Sequence, residues 1–215
     1  MRLLYDVAIA LLTGLLHGAA WFHPKAKKWV AGRQNWRNDV SSRFAKRGAV
    51  LWVHVSSLGE FEQGRPVIEA FRVTFPDWQI VLTFFSPSGY EVRKNYPHAD
   101  LVCYLPADTR RNARDFLDLV RPDAALFVKY DFWANYLFEV KKCGIPTVLV
   151  SALFRPKQPF FRWYGGLWRR MLGCFTHIFV QNELSAALLH SIGFQNITVA
   201  GDTRVDRVLS LATPP

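Results

Sequence analysis

Cysteine is scarce in this chain: Cys103, Cys143 and Cys174 are odd in number, far apart and form no CxxC pair. That excludes a disulfide-stapled secreted scaffold and a zinc ribbon, and it reads as buried, reduced thiols of a cytoplasmic protein. No group of His, Cys, Asp or Glu has metal-ligand spacing. Glycine never gathers into GxGxxG after a strand or into GxxxxGK[ST], so dinucleotide and P-loop chemistry lose their main support. Internal repeats and low-complexity tracts are lacking too. So is any basic recognition helix or stacking-sheet motif of the sort nucleic acid requires, and no nucleic-acid partner is expected.

Acidic residues are few, which leaves a formal net charge of +10, but the excess is local. Residues 1–48 hold nine Lys/Arg against Asp6 and Asp39, whereas the remaining residues hold eighteen bases against fifteen acids. A basic segment beside an apolar stretch more often faces anionic lipid. The apolar stretch is 3–22, about the ~20 residues that span a bilayer. It is not clean: Asp6, Ala10, Thr13 and His17 recur at helical spacing and give one face a weakly polar stripe. That suits a helix lying in the interface or a marginal span; a helix docked on a domain and a cleaved signal are the other readings. Residues 1–24 are therefore expected to be an anchor or interfacial helix. Residues 25–48 are expected to be a collar in which Trp21, Phe22, Trp29 and Trp36 meet headgroups, with the bases placing the body on the cytoplasmic side.

Residues 49–215 alternate between strand and helix patterns. Strands are predicted at 50–55, 79–85, 101–105, 124–129, 145–150, 177–181 and 196–200, and helices at 60–75, 87–95, 109–120, 132–142, 160–173 and 183–192. Several strands are nearly all apolar, as a parallel sheet buried on both faces requires. The predicted class is α/β, a doubly wound, mostly parallel Rossmann-like sheet. The stop at Thr213-Pro214-Pro215 reads as a linker cut short, with a second domain absent.

In such sheets ligands bind at the carboxyl ends of strands, where three polar loops stand out: 56–60, 129–135 and 201–204. Glu60 opens the helix after the first strand. It complements the helix dipole there, or it acts as a general base for a substrate hydroxyl. Asp131 is an N-cap or a second carboxylate facing a sugar cation. Lys129 pairs with it or binds substrate. Arg204 pairs with Asp202 or Asp206, or steadies a phosphate leaving group. Residues 153–170 carry five bases, no acid and six aromatics, a solvated face or one that meets lipid. His54, inside a strand, is expected to be a satisfied core histidine.

At these loops the sequence resembles the N-terminal domain of the 3-deoxy-D-manno-octulosonic acid (Kdo) transferases. The family's H-x-V-S-x-G-E loop stands here as His54-Val55-Ser56-Ser57-Leu58-Gly59-Glu60, and its E-x-E-L-W-P-N loop as Lys129-Tyr130-Asp131-Phe132-Trp133-Ala134-Asn135. Its T-G-[SN]-x-K-[FY]-D appears as Ala200-Gly201-Asp202-Thr203-Arg204-Val205-Asp206, and Q-N-E as Gln181-Asn182-Glu183. The resemblance implies one half of a two-Rossmann (GT-B) inverting glycosyltransferase at the cytoplasmic face of a bacterial inner membrane. It implies Kdo transfer from CMP-Kdo to a lipid A precursor with no cofactor and no metal, in lipopolysaccharide core biosynthesis. By position Glu60 is the proton acceptor, and Asp131 and Arg204 stabilise the transition state. Ser56, Ser57, Gly59, Lys129, Asn135 and Arg155 are placed on substrate. Asp131 stands for the family's Glu, Lys129 for an acid and Arg204 for Lys. The nucleotide-sugar site is expected in the absent second domain, so weak or no turnover is expected of residues 1–215 alone. A non-catalytic membrane-bound binding module, or a related transferase with another acceptor, are the competing readings.

Overall fold

The computed structural model describes residues 2–202. Its strands are β1 (Val50–Val55), β2 (Gln79–Phe84), β3 (Leu101–Tyr104), β4 (Ala124–Val128), β5 (Thr147–Ala152), β6 (His177–Val180) and β7 (Ile197–Val199). The helices are α1 (Arg2–Ala19), α2 (Pro24–Ala31), α3 (Trp36–Arg43), α4 (Leu58–Thr74), α5 (Pro87–Arg93), α6 (Arg110–Val120), α7 (Ala134–Lys142), α8 (Gly166–Leu172) and α9 (Glu183–His190), with a 3-10 turn at Pro159–Phe161. All strand pairs are parallel, in the order β3-β2-β1-β4-β5-β6-β7. The chain winds outward from β1 one way and then, from β4, the other. The reversal lies between β1 and β4, which makes their carboxyl ends the switch point where such sheets bind ligands.

The two-residue period of a strand sorts β1 between two cores. Val50 and Trp52 enter a core shared with α3, α6, α7, α8 and α9, while Leu51, Val53 and Val55 enter one shared with α4. Both faces of the sheet are thus covered. Gly64 of α4 permits that close approach: a Cβ there would lie 2.9 Å from Val128 Cγ2. The helix predicted at 160–173 is broken at Gly165, where a Cβ would stand 2.2 Å from the Pro159 carbonyl oxygen. Strand β5 runs two residues later than predicted: Pro146 has no N–H to give, its carbonyl alone meets Ala125 N–H (2.8 Å), and the strand begins at Thr147.

The collar expected at 25–48 is corrected in part. Trp21 and Phe22 are bare, but Trp29 and Trp36 are only 5% and 6% exposed, in α2 and α3 folded onto the domain. Trp36, Val40 and Phe44, spaced four apart, join the main core. Arg33 clamps this segment to the sheet, donating to the carbonyls of Leu105 (2.8 Å), Phe85 (2.7 Å) and Trp29 (3.1 Å). Cys143 is exposed rather than buried, because it caps the solvent-facing end of α7.

Among the described residues α1 is the one helix long and apolar enough to cross a membrane, and 6% of it is buried. Its attachment is polar. Arg2 donates to Asn135 Oδ1 (3.2 Å), Asp6 accepts from Arg110 (2.6 Å), and Tyr5 donates to Asp108 (2.5 Å). Leu3, Leu4, Val7, Leu11 and Leu15 remain bare on the outside.

Candidate functional site

The loops after β1 and β4 meet at the switch point. Ser57 caps α4: its Oγ donates to a Glu60 carboxylate oxygen and receives the Glu60 N–H (3.5 Å), an S-x-x-E capping arrangement. Glu60 is half-buried, and its Oε1 makes no hydrogen bond among the described residues. Asp131 is not the cap of α7. It reaches across the switch point to Ser56, accepting its N–H (2.9 Å) on one oxygen and its hydroxyl on the other. Only 4% of it is exposed. Burial holds its carboxyl well above the usual carboxylate range and the nearby Glu60 charge adds to that, against the Ser56 bonds. Two carboxylates from two motifs are therefore coupled, each held by one of two consecutive serines.

His54 is the core histidine expected. Thr83 Oγ1 gives its proton to the Val53 carbonyl (3.2 Å), so His54 Nδ1–H donates to Thr83 (2.9 Å), and Nε2 accepts from Trp133 Nε1 (2.9 Å). This fixes one neutral tautomer, and burial lowers its pKa to about 3. Through it β1 holds Trp133, which stacks on Phe85 with centroids 4.4 Å apart. Lys129 follows β4 in a left-handed conformation (φ 66°), as does Ser151 at the end of the neighbouring β5 (φ 53°). Such backbone is costly for residues other than glycine and gathers at functional sites.

The remaining expectations divide. The Ser56 and Ser57 hydroxyls, expected on substrate, are turned onto the protein's own carboxylates. Asn135, also expected on substrate, is 1% exposed: its side chain serves Arg2, Asp6 and the Asp108 carbonyl, which makes it a structural joint. Gly59, Lys129 and Arg155 have open faces at the same edge. Asn182 caps α9, and Gln181 donates to the Ser151 carbonyl (3.1 Å). Gln63, one turn beyond Glu60, donates to Asp202 (3.4 Å), which brings the start of the third loop to α4. Arg204 lies outside the described residues.

Sequence reasoning missed how α7 begins. No side chain of its own segment caps it. Instead Asp108, in the loop after β3, accepts the amides of Asn135 and Tyr136 (both 3.1 Å), and Tyr5 Oη of α1 accepts that of Ala134 (3.2 Å). Three helix N-terminal donors are satisfied from two distant parts of the chain. Burial pushes Asp108 up to about 6, against the bonds from Tyr5, Asn135 and Tyr136. No local sequence pattern announces such a cap.

Among solved structures, UDP-GlcNAc 2-epimerase from Neisseria meningitidis bound to UDP-GlcNAc superposes with TM-score 0.57 at 19% identity, over 77% of this chain and 50% of its own. The epimerase from Methanocaldococcus jannaschii gives 0.56 at 21%, over 74% and 47%. At these identities the likeness is one of fold. Among sequences, the 3-deoxy-D-manno-octulosonic acid transferase of Chlamydia trachomatis serovar D is 27% identical over 183 residues, 82% of this chain and 42% of that protein. The Bordetella pertussis transferase is 26% identical over 97% of this chain and 50% of its own length. The chain thus spans half or less of these relatives. The family profile described as 3-deoxy-D-manno-octulosonic-acid transferase (kdotransferase) matches residues 33–207, across both carboxylate loops and both sides of the switch point, and the chain belongs to that family as its N-terminal domain.

Proposed function

We propose that this domain is the acceptor side of an inverting glycosyltransferase that moves Kdo from CMP-Kdo to a sugar hydroxyl of a lipid A precursor, at the cytoplasmic face of the inner membrane. The observation that carries the reading is the placement of Glu60: a half-buried carboxylate at the β1/β4 switch point, one oxygen fixed by Ser57 and the other open. A fixed carboxylate with a free lone pair can take the proton of an incoming alcohol. Asp131 is too enclosed for direct contact. It acts through Ser56, keeping the Ser56–Glu60 turn in register beside the developing sugar cation. Lys129 and Arg155 face the acceptor's anionic groups, and Arg204 the leaving phosphate. No cofactor or metal is invoked, and the donor binds chiefly to a second Rossmann domain. Helix α1 lies in the membrane interface, since a perpendicular span would break its Arg2, Tyr5 and Asp6 bonds to the domain.

The test is Glu60→Gln in a protein carrying both Rossmann domains, assayed with CMP-Kdo and a lipid A precursor. A fall in rate of about 10²–10⁴ is expected, with unchanged melting temperature and unchanged vesicle binding. Retention of the wild-type rate refutes Glu60 as the base, whereas absence of transfer by the unsubstituted two-domain protein favours the non-catalytic membrane-bound module.

A further inference from the structure

A second feature of the N-terminal segment is independent of the carboxylate pair. Helices α1 and α2 fold back on each other and leave a crevice of about 240 Å³ over the loop after β3. Its polar lining is Thr13, His17, Arg33, Gln34, Arg37 and Asn112, with no carboxylate among the lining residues. Arg33 is its floor. It is 9% exposed, packed against the rings of Trp29, Tyr104 and Phe85, and makes no ion pair among the described residues. Three of its five N–H donors go to backbone carbonyls and two are left. Buried charges are ordinarily paired, because removal from water without a counter-charge is unfavourable. Burial accordingly lowers the Arg33 pKa to about 9. Arg37 at the rim is held by Asp115 and Asn112, and His17 Nδ1 donates to the Thr13 carbonyl (2.8 Å). Trp29 Nε1, also buried, has no acceptor among the described residues.

On the other side of Trp29 lies a crevice of about 370 Å³ with an apolar wall: Leu12, Leu16, Ala19, Ala26, Phe85 and Pro87. A donor-rich, acid-free pocket and an apolar one share a tryptophan beneath a helix whose outer face is bare leucine. We infer that the α1–α2 crevice binds the phosphate of an anionic membrane lipid at Arg33 and Gln34, with the acyl chain lying along the adjoining apolar wall.

The full chain in neutral detergent is titrated calorimetrically with dihexanoyl phosphatidic acid, with dihexanoylglycerol and with inorganic phosphate. Saturable binding of one phosphatidic acid per chain is expected, with inorganic phosphate competing at least tenfold more weakly and dihexanoylglycerol not binding. Arg33→Gln is expected to abolish binding but also removes three clamps on the fold, so Gln34→Glu carries the test. Gln34 is exposed at the crevice mouth, and a carboxylate there is expected to weaken phosphatidic acid at least tenfold at unchanged melting temperature. No saturable binding, or binding indifferent to Gln34→Glu, overturns the site. Equal affinity for inorganic phosphate and phosphatidic acid overturns the lipid and leaves a free-phosphate site.

Discussion

Replacing Tyr5 by Phe deletes one oxygen from α1 and tests whether that helix is part of the domain. The lost hydroxyl donates to Asp108 and accepts from Ala134 N–H. A hydrogen bond to a charged group is worth about 1.5–3 kcal/mol, and losing a helix cap costs ~1 kcal/mol. A net loss of about 2–3 kcal/mol is therefore expected near pH 8, or roughly 5–10 °C in melting temperature for a chain of this size. The loss also depends on pH. The Asp108 carboxyl is raised to about 6 in the folded protein, above its unfolded value of ~3.9. The folded state thus takes up its proton first, and stability from this group grows as pH falls from about 6 towards 4. Without the Tyr5 hydroxyl, which lowers that pKa, the variant gains more from protonation. The gap between the two proteins should narrow to about 1 kcal/mol at pH 5. Urea unfolding of both at pH 8 and pH 5, in one detergent, measures it. A gap below about 0.5 kcal/mol at pH 8, or the same gap at both pH values, refutes the trans-cap.

His54 works in the opposite direction. Its folded pKa of about 3 lies below the unfolded ~6.5, so the stability it contributes is complete above pH 6.5 and drains away as pH falls, by at most ~1.4 kcal/mol per unit. His54→Phe should cost about 2–4 kcal/mol at pH 7 through two lost buried bonds and flatten the stability profile between pH 6.5 and 4; an unchanged acid limb would show that another group sets it. Gly64→Val drives side-chain atoms into Val128 and should destabilise by about 3 kcal/mol, read by thermal unfolding. A thiol reagent should label Cys143 quickly in the folded protein, while Cys103 and Cys174, buried and raised to about 12 and 11, should react only after unfolding.

Much of the fold was legible because its signals are local. The unbroken apolar run of Ala124–Val128 marks a strand buried on both faces; the helix predicted from 60 begins earlier, at Leu58, because Ser57 caps it. The loops at 56–60 and 129–135 stood out by their polar residues at the carboxyl ends of apolar strands, where such sheets bind ligands. Trp29 and Trp36 were misassigned because tryptophan suits both a headgroup layer and a core. The four-residue spacing of Trp36, Val40 and Phe44 was the signal that favoured the core. At the site, Ser56 and Ser57 were identified as important residues, but not by what they hold. The Ser56–Asp131 bond joins residues 75 positions apart, and Tyr5 meets Ala134 across 129. Contacts at that range come from tertiary packing, which the local signals do not encode.

The cap on α7 also means that α1 is not an interchangeable tether. Were residues 2–19 exchanged for a foreign membrane anchor, the protein would still reach the bilayer. Yet the amide of Ala134 would lose its acceptor, and the Asp108 carboxylate would lose the proton donor that steadies it. Attachment would survive, and the helix that follows the Asp131 loop would begin to fray from its first residue.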